Sequence, residues 1–138
     1  MTVAIDWHVG PRSKLRFLFE FAEDSQRQLD EYLELGRVLV ARRGPVFLGH
    51  LQLVPTIAPG EIELKNMAVV PEQRGGGVGR ALVEAALRKC GGEGWARMVV
   101  ATAAADTGNL RFYQRLGFHE LIRVGSGAAG CVYMGREL

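Results

Sequence analysis

The sequence predicts one domain of mixed α/β or α+β class, and two observations carry that expectation. The hydrophobic period is helical near the start, alternates through the middle, and then switches back and forth between the two. Glycine and proline stand at nearly every switch, while no repeat or linker divides the chain. At 138 residues the chain can bury about two-thirds of its unfolded surface, so it needs no disulfide or metal staple.

The elements follow in order. Val3 to Trp7 is a short apolar run that reads as a first strand, closed by Gly10 and Pro11. Ser13 is positioned to cap a helix whose Leu15, Leu18, Phe19 and Ala22 recur at the helical period. A second helix fits Ser25 to Leu35, with Leu29, Tyr32 and Leu33 inward and Gly36 at its end. Arg37 to Arg42 and Val46 to Leu53 are β-rich runs joined through Arg43, Gly44 and Pro45, the pattern of a hairpin. Glu61 to Val70 alternates, placing Glu61 and Glu63 on one face and Ile62 and Leu64 on the other. Val78 to Cys90 is helical, with Leu82, Ala85 and Ala86 apolar and Glu84 four residues before Arg88. Trp95 to Thr102 reads as a buried strand, and Thr107 to Leu116 as a short helix stopped by Gly117. Phe118 to Val124 and Cys131 to Leu138 close the chain as a strand pair around a glycine-rich turn. Phe17, Phe19 and Phe21 are expected to fill core and helix–helix contacts, and Trp7 and Trp95 to anchor the core.

Composition excludes several classes. A formal charge of +2 gives no mandate for nucleic acid or an acidic membrane. No apolar run reaches membrane-span length, and the first residues lack the signature of a signal peptide, so the expected place is the cytoplasm. Cys90 and Cys131 sit in no ligand spacing and read as free thiols. His8, His50 and His119 share no ligand spacing either, so no metal is expected.

The strongest local signal is Arg74-Gly75-Gly76-Gly77-Val78-Gly79-Arg80, between a strand and a helix. Its glycines leave backbone N–H groups unshielded where the helix start adds its positive end, and Arg74 and Arg80 flank them. That combination suits phosphate oxygens. A dinucleotide fingerprint fails, because the required third glycine falls on Arg80 or Leu82. A triphosphate loop fails for want of Gly-Lys-Ser/Thr.

The stretch from Asn66 through Val70, Pro71 and Arg74 to Leu82 resembles the acetyl-CoA-binding motif of the GNAT superfamily of N-acetyltransferases, whose pattern Arg74, Gly77 and Gly79 satisfy. Asn109 to Phe118 is similar to the family's later helix and following strand, and Val132 to Leu138 to its closing strand. The resemblance implies a mostly antiparallel central sheet flanked by helices, with its fourth and fifth strands splayed around acetyl-CoA. It implies that Gly75, Gly76, Gly77, Val78 and Gly79 hold the pyrophosphate, with Arg74 and Arg80 beside it. It implies that the backbone of Met67, Ala68 and Val69 pairs with the pantetheine arm like an added strand. It also implies Asn109 as a pantetheine contact and Tyr113, four residues on, as the acid that protonates the departing thiolate.

A protonated amine must lose a proton before it attacks, and a strand carboxylate can accept it. Glu63 matches the strand position of the base in some members, with Glu61 or a water relay as alternatives. The expected activity is transfer of acetyl from acetyl-CoA to a primary amine by direct attack in a ternary complex. A protein N-terminus or lysine is an alternative acceptor, and a non-catalytic CoA-binding sensor is the alternative from another class. A homodimer is the default assembly by analogy with the family. Glu20, Glu23, Asp24, Asp30, Glu31 and Glu34 on the first two helices favour a small cationic acceptor.

Overall fold

The computed structural model describes residues 2–138. Among them the strands are β1 (Ala4–Trp7), β2 (Arg37–Arg43), β3 (Val46–Pro55), β4 (Glu61–Val69), β5 (Arg97–Ala103), β6 (His119–Val124) and β7 (Cys131–Glu137). The α-helices are α1 (Arg16–Phe19), α2 (Gln26–Tyr32), α3 (Val78–Gly92) and α4 (Thr107–Arg115). The strands are hydrogen-bonded in the order β1-β2-β3-β4-β5-β7-β6. The fold is therefore the expected mixed α/β class with a mostly antiparallel sheet: β1–β2, β2–β3, β5–β7 and β6–β7 are antiparallel, and β4–β5 is parallel. Chain direction explains the exception, since α3 carries the chain back between β4 and β5 and only such a crossover permits parallel pairing.

The chain divides into two compact units, Met1–Val54 with Lys65–Ala86, and Pro55–Leu64 with Leu87–Leu138. In the first, Leu15, Leu18, Phe19, Leu29, Tyr32, Leu33, Val38 and Val40 form a buried cluster. Each fully buried side chain of this kind contributes about 1.5–3 kcal/mol through removal from water. The Ser25 hydroxyl caps α2 by accepting the Gln28 N–H at 3.2 Å. At the other end of α2, Arg12 donates to the carbonyls of Leu33 and Leu35 at 2.8 and 2.9 Å, answering the helix's unpaired acceptors. Gly36 then turns at φ +59°, where a Cβ would lie 2.0 Å from the Leu53 carbonyl oxygen, so only glycine fits.

Several expectations change in this unit. Ser13 caps nothing; it lies inside a 3₁₀ turn, Arg12–Leu15, that precedes the single turn of α1. Alternate aromatics on a helix cannot share a face, so Phe19 is buried while Phe17 and Phe21 are about half exposed. Ala22 is exposed beyond the end of α1. Neither tryptophan is a fully buried anchor: Trp7 is half-buried beneath the Arg37 guanidinium, 4.0 Å from the ring centroid, and Trp95 is half-buried before β5.

In the second unit the even positions of β4 and β5 and their β7 partners form a buried face: Ile62, Leu64, Met98, Val100, Val132 and Met134. Asp106 caps α4, its Oδ1 accepting the Asn109 N–H at 2.9 Å. Gly117 ends that helix at φ +89°, while the Gly117 and Phe118 N–H groups return to the carbonyls of Gln114 and Tyr113.

Candidate active site

The first unit carries the glycine loop. β4 runs to Val69, a 3₁₀ turn covers Pro71–Gln73, and α3 starts at Val78. The Ala81 N–H donates to the Gly77 carbonyl at 3.0 Å, so the ladder of α3 opens there. The N–H groups of Gly77, Val78, Gly79 and Arg80 precede the first intrahelical donor of a fifteen-residue helix. Gly75 and Gly77 adopt φ of +80° and +87°, and a Cβ added at either would meet nothing within 4 Å. The backbone is therefore bent into a glycine-only conformation around open space, which suits a phosphate better than packing.

Arg74 is held in place, with its Nε donating to the Val69 carbonyl at 3.0 Å and its guanidinium 5.4 Å from the Phe21 ring. Arg80 behaves differently. Its Nε lies 2.8 Å from Glu84 Oε1, so its charge is matched one turn along α3. Glu84 thus pairs backwards with Arg80 and not forwards with Arg88, as its spacing had suggested. Met67 and Val69 are half-buried and Ala68 is buried. The Val70 N–H donates to Leu48 on β3 at 2.8 Å, so the period of two turns the backbone groups of Met67 and Val69 away from β3.

Beneath this segment lies a buried polar chain that pattern reading passed over. Asn66 donates through Nδ2 to the Phe19 carbonyl at 3.3 Å and to the Tyr32 hydroxyl at 2.9 Å. Its Oδ1 then accepts from His50 Nε2 at 2.7 Å, and Tyr32 donates to Glu23 at 3.1 Å. His50 is fully buried against Phe19, with ring centroids 4.3 Å apart. Its Nδ1 is buried and makes no hydrogen bond. Burial lowers the His50 pKa from 6.5 to about 4, with the Asn66 bond pulling weakly the other way. Asn66 was findable, because it breaks the apolar register of Ile62, Leu64 and Ala68 on β4.

The second unit carries the other candidates. Asn109 and Tyr113 lie one turn apart on α4. Asn109 is exposed and donates to the Thr102 hydroxyl on β5 at 3.3 Å. Tyr113 is 3% exposed, edge-on to Phe112 and Phe118 with centroids 5.1 and 5.4 Å away. Burial, and secondarily the Asp106 charge, push its phenol well above the usual range, so it stays protonated at any working pH.

The β4–β5 ladder runs from Glu61↔Arg97 to Leu64↔Val100, short of the ends of both strands. Glu61 is committed: Arg97 reaches its Oε2 at 2.8 and 3.3 Å, and the Thr56 hydroxyl donates to its Oε1 at 2.8 Å. Those hydrogen bonds hold the Glu61 carboxyl below its usual range. Glu63, next on the same face, is half-buried and lines a cavity of about 230 Å³ with Val99, Ala101, Leu121, Ile122 and Tyr133. Two carboxylates that looked equivalent in sequence thus have different surroundings.

The acids of the first two helices are largely engaged with their own neighbours. Arg16 lies 3.4 Å from Glu20 and 2.8 Å from Asp30, Arg27 lies 3.7 Å from Glu31, and Glu23 accepts from Tyr32. Among the described residues no group of three or more His, Cys, Asp or Glu is placed to hold a metal ion. Among them, too, no helix is long and apolar enough to cross a membrane.

A strand ending at a glycine-lined helix start, followed by a second strand–helix pair bearing Asn109 and Tyr113, defines a class. The chain belongs to the acetyltransferase (GNAT) family, whose model matches residues 6–118. Among solved structures it is similar to an IAA acetyltransferase from Bacillus cereus, at 26% identity over 99% of this chain and 100% of that one, with a TM-score of 0.84. It shares the fold of an acetyltransferase from Bacillus subtilis in complex with CoA, at 24% identity, 99% of both chains and a TM-score of 0.87. It also shares that of a GNAT family acetyltransferase from Elizabethkingia anophelis with acetyl-CoA bound, at 22% identity, 99% and 98% coverage, and the same TM-score of 0.87. A search of curated proteins returns no match.

Proposed function

We propose that this chain is a single N-acetyltransferase domain that transfers acetyl from acetyl-CoA to a primary amine by direct attack in a ternary complex. The observation that carries the reading is the glycine loop, where Gly75 and Gly77 take positive φ around open space at the start of α3. CoA and acetyl-CoA in relatives of the same fold support the choice of ligand. Acetyl-CoA supplies an activated acyl group when bound; the chain's residues do the rest.

The N–H groups of Gly75 and of Gly77 to Arg80 bind pyrophosphate oxygens, with the Nη atoms of Arg74 adding charge; the Gly76 N–H, expected to join them, donates to the Gln73 carbonyl at 3.3 Å, and Arg80 contributes chiefly backbone, since Glu84 matches its charge. The outward backbone of Met67 and Val69 pairs with the pantetheine amides, while that of Ala68, expected to join them, faces β3 by the same register; Asn109 contacts the same arm. Glu63 takes a proton from the ammonium, directly or through one water. The amine nitrogen then bonds to the thioester carbonyl carbon as the C–S bond breaks. Tyr113 gives its proton to the leaving sulfur and recovers one, through water, from the newly acylated nitrogen, which becomes the neutral amide. Glu63 is preferred to Glu61 because Arg97 and Thr56 stabilise the Glu61 carboxylate as an anion and make it a weaker base.

A small amine is preferred to a protein N-terminus or lysine because Glu63 opens on a small cavity. The enzyme is taken to be cytoplasmic and, by analogy with the family, homodimeric; light scattering checks the assembly. The deciding experiment follows thiol release from acetyl-CoA across panels of small amines and peptides. Amine-dependent release of CoA is the expected result. Tight acetyl-CoA binding with no release across both panels would favour the CoA-binding sensor.

A further inference from the structure

A second cavity lies wholly within the first unit and takes no part in the steps above. Its volume, about 560 Å³, falls in the range of roughly 300–1,000 Å³ usual for small-molecule sites, unlike the 230 Å³ beside Glu63. Three segments build it. Phe17 comes from α1, Arg43, Val46 and Phe47 come from the β2–β3 hairpin, and Val70 and Gln73 follow the end of β4. The hairpin wall is stiff: Arg43 pairs with Val46 across a two-residue turn in which Gly44 takes φ +60° and Pro45 follows, the glycine-first pattern of a type II′ turn.

Most of this wall is apolar, and part of it is left to water. Phe47 and Val70 pack on the buried cluster of α1 and α2, whereas Phe17 and Val46 are 46% and 57% exposed. The sequence led us to expect Phe17 in the core, and the cavity is what its ring faces instead. Half-buried Arg43 is the cation among the lining residues, and among the described residues it makes no hydrogen bond or ion pair. Its guanidinium has therefore lost part of its hydration without a partner to replace it. Glu72, at the same cavity, is unpaired too, but it is exposed and water satisfies it.

A guanidinium is answered best by a planar acceptor that takes two parallel N–H bonds, which a carboxylate does. A phosphate would meet the same fork but would turn its remaining oxygens toward Phe17, Val46 and Phe47, where nothing donates from their side chains. A carboxylate carried on hydrocarbon matches both the cation and the wall.

We propose that this cavity is a second ligand site, which binds a small monocarboxylate with an aromatic or branched apolar body. The carboxylate lies on Arg43 and the body against Phe17, Val46, Phe47 and Val70.

The test titrates 3-phenylpropionate into ¹⁵N-labelled protein at pH 7.5, where the acid is ionised. The amides of Phe17, Phe47, Val70 and Gln73 should shift. 3-Phenylpropanol, 3-phenylpropylamine and acetate should bind at least about 10-fold more weakly, the worth of one charge-assisted pair or of the apolar body. This series needs no variant. Arg43→Met keeps an apolar stem and should bring the acid down to the affinity of the alcohol, while Phe17→Ala, at a half-exposed position, should weaken both severalfold; matching thermal melts check that each variant is folded. Saturating CoA should leave the acid's affinity unchanged. No shifts at these amides, equal binding of acid and amine, or an acid preference that survives Arg43→Met would overturn the proposal. So would tighter binding of phenylalanine, which would bring Glu72 in as the partner of an ammonium, or displacement by CoA, which would place the acid on the glycine loop.

Discussion

His50 should make this protein lose stability in mild acid. Burial lowers its pKa from 6.5 to about 4, so between those values the unfolded chain binds a proton that the folded chain refuses. The sign follows: the stabilisation is complete above pH 6.5 and is lost as pH falls toward 4. From pH 7.5 to 4.5 the linkage amounts to about 2.5 kcal/mol, taking 1.36 kcal/mol per unit and the residual protonation near pH 4.5. With an unfolding entropy of about 0.3 kcal/mol/K for 138 residues, that lowers Tm by about 8 °C. Other groups titrate in the same window, so the comparison is with His50→Gln. Its amide can still donate to Asn66 Oδ1 but takes up no proton. Calorimetry should find the variant less stable at pH 7.5, and the gap should close by about 2.5 kcal/mol at pH 4.5. A gap that stays constant over that range would refute the assignment of a buried, neutral His50.

Three further outcomes test the site. Gly77→Val forces a side chain onto φ +87°, which should cost about 1–2 kcal/mol of stability and abolish measurable acetyl-CoA binding by calorimetry; Gly91→Ala, in the last turn of α3, should leave affinity unchanged. Tyr113→Phe preserves the edge-on contacts with Phe112 and Phe118 and should reduce turnover about 10²-fold with acetyl-CoA affinity nearly intact; unaltered turnover would reduce Tyr113 to packing. Glu63→Gln should slow turnover most near neutral pH and recover as the free-amine fraction rises, whereas Glu61→Gln should raise KM or lower stability without that pH signature. A pH–rate profile for Glu63→Gln that superimposes on the parent would exclude Glu63 as the base.

The element order, the class of fold and the glycine loop before α3 were legible in the sequence. Those features are local: a period of two or 3.6, a glycine that alone tolerates positive φ, and a run of N–H groups before a helix are written in consecutive residues. Asn66 was legible too, as a polar residue on a buried register, although its partners were not. Tertiary structure decided what depends on residues far apart in sequence. Glu61 and Glu63 are chemically identical two positions apart, and only the parallel register with β5 shows that Glu61 is the one aligned with Arg97. Tyr113 reads from sequence as the acid or as half-buried helix packing, and only the fold shows it buried, edge-on to Phe118, with that burial raising its pKa. The six acids of the first two helices and the turn between them looked like a cationic attractant, yet Arg16 pairs with Glu20 one turn away and with Asp30 fourteen residues along the chain. A side chain's charge is local, but the charge it presents to a ligand depends on its neighbours, and those are chosen by the fold.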